Sequence, residues 1–128
     1  MCDMLISINP KHVENIFNGT KKYEYRKIRC KREINKMIIY STYPIMKVVG
    51  EAKVEKIIED SPNKIWEETK KYSGINYEFY KNYFKNKEKA VAYKLTEVIK
   101  YDNPKKLSSY GIKNPPQSFI YIKQIVEN

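Results

Sequence analysis

Asn18-Gly19-Thr20-Lys21-Lys22-Tyr23-Glu24-Tyr25-Arg26-Lys27 is the stretch on which both fold and function turn. Gly19 suits the left-handed residue that ends a short helix, and a strand from Lys22 to Ile28 follows. Residues two apart in a strand project from one face, so Glu24 and Arg26 lie side by side. A carboxylate and a guanidinium placed this way either pair on a solvated surface or jointly grip a base or a phosphate. Lys21 would point to the opposite face of a regular strand. It joins the pair only if the turn at Gly19-Thr20 is irregular, which glycine permits.

Toward the N-terminus, Met4 to Ile8 reads as a short buried strand. Asn9 can cap a helix, and Pro10 fits the first helical position, where a missing N–H costs nothing. Val13, Ile16 and Phe17 then recur at helical spacing. His12 falls in the first turn, either to meet a ligand or as an incidental exposed side chain.

Toward the C-terminus, Arg29, Lys31 and Arg32 form a basic cluster before an apolar strand, Met37 to Ser41, closed by Tyr43-Pro44. Lys47 to Ile58 is a long strand in which Val48, Gly50, Ala52 and Val54 alternate on one face. Small inward residues are what a tight barrel interior requires. Ser61-Pro62 starts a helix with Ile65, Thr69 and Tyr72 on one side and Trp66 beside them, and Gly74 ends it. After Asn76 a second helix carries Phe79, Tyr80, Tyr83 and Phe84, a wide aromatic stripe that reads as core before it reads as a base-stacking platform. Val91, Tyr93, Leu95 and Ile99 share a face of the next strand. Asp102-Asn103-Pro104 turns the chain, and Leu107 to Tyr110 makes one helical turn ended by Gly111. Ser118 to Val126 is the final strand, after the double proline at Pro115-Pro116. The order is β-α-β-β-β-α-α-β-β in one domain, 1–128: an α+β chain with helices around a mostly antiparallel β-barrel.

Composition narrows the function. The formal charge of +10 points to a polyanionic partner such as nucleic acid, although a lysine-rich proteome or an anionic membrane would account for it too. The 12 tyrosines beside these cations are of the kind that unpaired bases stack on, and equally of the kind that fills cores. Cys2 and Cys30 with a single histidine cannot build a zinc site, so no metal and no cofactor is expected. There is no secretory signal and no apolar run near the length of a membrane span, which sets a soluble, cytoplasmic, reducing default. A P-loop is absent, and a Ser-His triad would have to rest on His12 without a nucleophile elbow.

Gly19-x-Lys21-x-x-Glu24-x-Arg26 resembles the signature of the ASCH domain, a family within the PUA-like group of small β-barrels associated with RNA. Leu5-Ile6-Ser7-Ile8-Asn9-Pro10, Val48-Val49-Gly50-Glu51 and Gly111-Ile112-Lys113-Asn114-Pro115-Pro116-Gln117-Ser118-Phe119 are also similar to small prokaryotic members, so the likeness spans nearly the whole chain. The resemblance implies an RNA or nucleotide partner and a cleft around Gly19, Lys21, Glu24 and Arg26. Tyr25 or Tyr43 would offer a stacking face, and Gln117 and Ser118 a second wall. It also implies two activities in the same cleft, with Lys21 and Glu24 as catalytic groups. One is ribonuclease chemistry; the other is removal of acetyl from N4-acetylcytidine. For the latter, Lys21 falls on the family's lysine, but Glu24 stands where a threonine is required, and the family's glutamate maps only loosely to Glu67 and Glu68. A transcription-related regulatory protein is the third reading.

Overall fold

Cys2–Ile8 (β1) lies inside a sheet, parallel to Ile34–Ser41 (β3) on one side and antiparallel to Phe119–Lys123 (β6) on the other. Met4 to Ile8 are buried throughout, which explains the unbroken apolar run there. The computed structural model describes residues 2–123. With Tyr23–Arg26 (β2), Lys47–Asp60 (β4) and Ala90–Lys105 (β5), the sheet has six strands among the described residues, in the order β2-β5-β4-β3-β1-β6. Every neighbouring pair is antiparallel except β1 beside β3. The sheet curls as a half-barrel with helices at its periphery, the α+β, PUA-like arrangement expected.

Pro10–Phe17 (α1), Pro62–Thr69 (α2) and Tyr77–Tyr83 (α3) begin as their sequences predict. Asn9, Ser61 and Asn76 each accept a backbone N–H of the first turn, at 2.8, 3.3 and 2.8 Å. Val13 and Ile16 of α1 pack on the concave face against Met4, Ile6, Ile39, Val91 and Tyr93. At the β2–β5 end, Tyr25, Ala90 and Ala92 pack against Ile65, Tyr80 and Phe84 from the other two helices. Fully burying each such large side chain contributes about 1.5–3 kcal/mol. No helix among the described residues is long and apolar enough to cross a membrane.

Bulges account for the departures from simple alternation. Register slips between Val48 and Gly50 against both neighbours, so Val48 packs with Leu5, Ile38 and Tyr40 while Ala52 and Val54 face the concave core. Gly50 remains on that concave side, where a Cβ would collide with the Phe17 ring and the Ile99 carbonyl. A second slip, with Glu97 at φ 48°, turns Ile99 outward to 52% exposure. Asp102-Asn103-Pro104 does not turn the chain, because β5 runs on to Lys105. Proline is tolerated there since β2 pairs only with Val91 to Lys94, leaving that edge of β5 without a ladder to break. Tyr72 belongs to a separate 3-10 turn, Lys70–Tyr72, and is exposed. The final strand begins at Phe119, and its expected extension to Val126 lies partly outside the described residues.

Candidate functional site

The edge strand β2 and the β1–β6 pair stand at opposite ends of the hydrogen-bonded order, and Arg26 spans the seam between them. Its Nη2 donates to the Ser7 carbonyl at 2.8 Å and to Glu24 Oε2 at 3.3 Å. Its Nη1 donates to Ser118 Oγ at 3.3 Å. Ser7 in turn donates its backbone N–H to the Ser118 carbonyl at 2.9 Å and its hydroxyl to the Pro116 carbonyl at 2.7 Å. The double-proline segment is thereby held against β1. A planar guanidinium suits this seam because its rigid fork serves several acceptors at fixed angles. Arg26 Nε is buried and has no hydrogen-bond partner among the described residues.

Lys21 joins the site by an irregular route. Gly19, at φ 86°, ends α1, and β2 does not begin until Tyr23, so strand alternation does not govern Lys21. Its backbone N–H donates to the Asn15 carbonyl at 2.9 Å, and it bridges to Ser73. Gly74, at φ 66°, lies so close that a Cβ there would overlap the Lys21 backbone and side chain. The Lys21 side chain is 1% exposed. Its ammonium donates to the Ser73 carbonyl at 3.0 Å and sits 4.7 Å from the centre of the Tyr25 ring. Glu24 Oε1 is 3.7 Å away, an ion pair rather than a hydrogen bond. Burial pulls Lys21 below the ordinary lysine range, and the Glu24 charge opposes that pull.

Glu24 is therefore a buried carboxylate between two cations. It is 4% exposed; Oε1 also accepts the Tyr25 N–H at 3.2 Å, and Oε2 faces Arg26. The triad opens on a cavity of about 210 Å³ whose walls come from the end of β1 and α1 (Ser7, Ile8, Asn9, His12), from β2 and from Ile75, Phe79 and Tyr83.

Of the residues singled out in the sequence, Lys21, Glu24, Tyr25 and Arg26 line this cavity, and Ser118 touches it through Arg26. Gly19 shapes the approach without forming the wall. Gln117 is exposed and outside the lining, and Tyr43 is 80% exposed in the β3–β4 turn, also outside it. Tyr25 does not offer a free stacking face. Its hydroxyl is held by Thr69 Oγ1 at 2.7 Å, its ring meets Tyr80 edge-on at 5.1 Å, and the Lys21 ammonium lies over it. Burial pushes its phenol well above the ordinary range. Glu67 and Glu68 are exposed on α2, where Glu67 pairs with Lys70 at 2.8 Å, so neither supplies a second carboxylate to the cavity.

His12, weighed in the sequence as a ligand contact or an incidental exposed side chain, and Phe79 and Tyr83, read there first as core, line the cavity. His12 is half-buried and meets Phe79 edge-on at 5.1 Å. Burial, and secondarily the Lys21 charge, lower its pKa below 6.5, leaving it neutral near physiological pH. The aromatic stripe carried a signal in its width: one short helix cannot bury four aromatics on one side. Tyr80 and Phe84 are core at 2% and 3% exposure, whereas Phe79, at 47%, lines the cavity beside Tyr83. Among the described residues no group of three His, Cys, Asp or Glu side chains is placed to hold a metal ion, and Cys2 and Cys30 are free thiols.

A mixed half-barrel sheet with three helices is an α+β, PUA-like fold. The ASCH domain model matches residues 6–99, and the chain belongs to the ASCH domain family. It is 33% identical over 94% of its length to part of a Ureaplasma parvum protein named ATP synthase subunit alpha, of which it spans 15%. It is 32% identical, over the same share of its own length, to part of that organism's large ribosomal subunit protein uL22, of which it spans 39%. An ASCH domain-containing ribonuclease of Zymomonas mobilis is 27% identical, with 95% of this chain and 85% of that protein covered. The crystal structure of ASCH from Zymomonas mobilis superposes with a TM-score of 0.86 at 26% identity, covering 95% of this chain and 88% of that one.

Proposed function

We propose that this chain is an RNA-binding module that seats one unpaired nucleotide in the seam cavity. The observation that carries the reading is the meeting of Lys21, Glu24 and Arg26 in the wall of one cavity on a chain of charge +10. The Arg26 guanidinium and the Lys21 ammonium give the cavity donors for phosphate or base-carbonyl oxygens, and Glu24 keeps lone pairs for a base amino group. Phe79 and Tyr83 supply the apolar wall against which a base rests. A cavity of about 210 Å³ suits one base and not a duplex. The relative named a ribonuclease supports a nucleic-acid partner.

Fluorescence anisotropy with labelled single-stranded RNA tests this. Binding should weaken with salt, with a log–log slope of about −0.7 for each phosphate neutralised. Arg26→Lys keeps the charge but loses the fork, and should cost about 1–3 kcal/mol of affinity. Absence of binding to any RNA at low salt sinks the proposal.

A second reading, RNA cleavage in the same cavity, is favoured by two observations. His12 has its pKa lowered and so stands as a neutral base, and Lys21 and Arg26 are cations poised for a crowded phosphate. His12 would take the proton of a 2′-hydroxyl as that oxygen attacks the adjacent phosphorus, giving a 2′,3′-cyclic phosphate, and the leaving 5′-oxygen would take a proton from water to become a 5′-hydroxyl. Incubation with end-labelled RNA decides it: a cleaving protein yields shortened products, and His12→Ala should lower their rate by about two to four orders of magnitude with binding retained.

A further inference from the structure

A second, more open cleft of about 570 Å³ adjoins the seam cavity and shares Asn9, His12, Ile75 and Phe79 with it. Its remaining walls are Lys11, Thr20, Lys71, Gly74 and Asn76, so the cleft carries two lysines and no carboxylate. The seam cavity, by contrast, has Glu24 in its wall. The two asparagines sharpen the preference. Asn9 and Asn76 each spend their side-chain oxygen capping a helix, at 2.8 Å in both cases, so what each offers a ligand is its amide N–H. Thr20, whose hydroxyl proton goes to Asn18 Oδ1 at 2.7 Å, and the neutral His12 ring can accept, but the only charges in the lining are the two ammonium groups, so the ligand that fits is an acceptor-rich anion. Between the two spaces stands the Phe79 ring, 47% exposed, with His12 edge-on to it. An aromatic face at the junction of two cavities is what consecutive unpaired bases stack on.

We infer that the second cleft holds the nucleotide next to the one in the seam cavity, with its phosphate on Lys11 and Lys71 and its base against Phe79. This rests on the RNA-binding reading above and adds to it a direction of travel for the strand, out of the seam and between α1 and the Lys71–Asn76 segment. A chain recognised only at the seam gains nothing from length; one that runs through both cavities gains a phosphate contact and a stacking contact with each added residue until the cleft is full.

The test compares 5′-mononucleotides of the four bases with the matching tetranucleotides, on the intact protein and on the double variant Lys11→Gln/Lys71→Gln. Both lysines are exposed and outside the seam cavity, so the variant should fold and keep its affinity for mononucleotides within about twofold. The intact protein should bind its best tetranucleotide at least about tenfold tighter than the mononucleotide, from one added stacked base and phosphate. The variant should lose most of that advantage and about 1.4 of the salt slope, two contacts at about 0.7 each. A length advantage that survives in the variant, or an intact protein that binds mononucleotide and tetranucleotide equally, overturns the second subsite and leaves the seam reading standing. No binding of either ligand to the intact protein overturns the seam reading and this inference with it.

Discussion

Two Lys–Glu pairs at the β2–β5 end of the sheet show how little distance says about an ion pair. Lys94 and Glu55, on the adjoining strands β5 and β4, approach to 2.9 Å, closer than Lys21 and Glu24 at 3.7 Å. The Lys94–Glu55 side chains are 33% and 48% exposed, and the Lys21–Glu24 side chains 1% and 6%. Water screens the first pair, which costs its partners side-chain freedom and returns little. In the second, both charges are stripped of water, and the pair stands only because Ser73, Tyr25 N–H and Arg26 complete the shell. The longer contact is the one the surrounding structure depends on. It is also the one that lines a cavity.

Removing Glu24 is the strongest way to test that contrast. Glu24→Ala leaves the buried Lys21 and the half-buried Arg26 without their shared counter-charge and should cost about 3–5 kcal/mol of unfolding free energy near neutral pH, read from urea midpoints. The deficit should shrink in alkali. Lys21 has a folded pKa below its unfolded value of 10.5, so between the two the unfolded chain holds more protons and stability rises with pH. Without Glu24, which raises the Lys21 pKa, that window reaches further down. A deficit that stays constant up to pH 10 would show that Lys21 is not the group left unsatisfied.

Gly74→Ala attacks the same site from the backbone. The residue is held at φ 66°, and the new methyl group would overlap Lys21 Cβ and Cα, which no rotamer change moves away. A loss of about 2–3 kcal/mol is expected, combining left-handed strain with the overlap. A thermal midpoint within error of the parent would mean that the Lys21 and Gly74 backbones separate easily and that Lys21 is not clamped.

A smaller effect reports directly on the field in the cavity. His12 is the only histidine, so its imidazole protons can be followed by NMR without ambiguity. The midpoint should lie below 6.5, and Glu24→Gln should lower it further, since the Glu24 charge is what raises it. Because the folded value is depressed, the unfolded chain binds the extra proton first, and His12 contributes a loss of stability as pH falls from 6.5 to the folded midpoint. An upward move in Glu24→Gln would contradict the arrangement described.

The exposed pair closes the series. Glu55→Gln should leave the unfolding midpoint unchanged within error at moderate salt, since neither partner is withdrawn from water. A loss comparable with that of Glu24→Ala would refute the comparison at its root.

The sequence by itself determined the order of elements, because its signals act within a turn of chain. Asn9-Pro10 and Ser61-Pro62 cap and start helices through their own side chains, Gly19 adopts the left-handed conformation its lack of Cβ allows, and the apolar run of β1 demands burial on both faces. The shared face of Glu24 and Arg26 follows from the period of a strand. What the tertiary structure decided came from segments far apart in the chain. Lys21 meets Glu24 because Ser73 and Gly74 take its backbone out of the strand's alternation, and Arg26 closes the seam because Ser7 arrives there from the first strand and Ser118 from the segment leading into the last. Val48 changes face through a bulge that exists only in the register between three strands. Phe79 borders a cavity and not the core because Tyr80 and Phe84 have filled the core first. Periodicity specifies which side of an element a residue leaves from; what it meets there is set by packing between elements, and packing is a property of the whole chain at once.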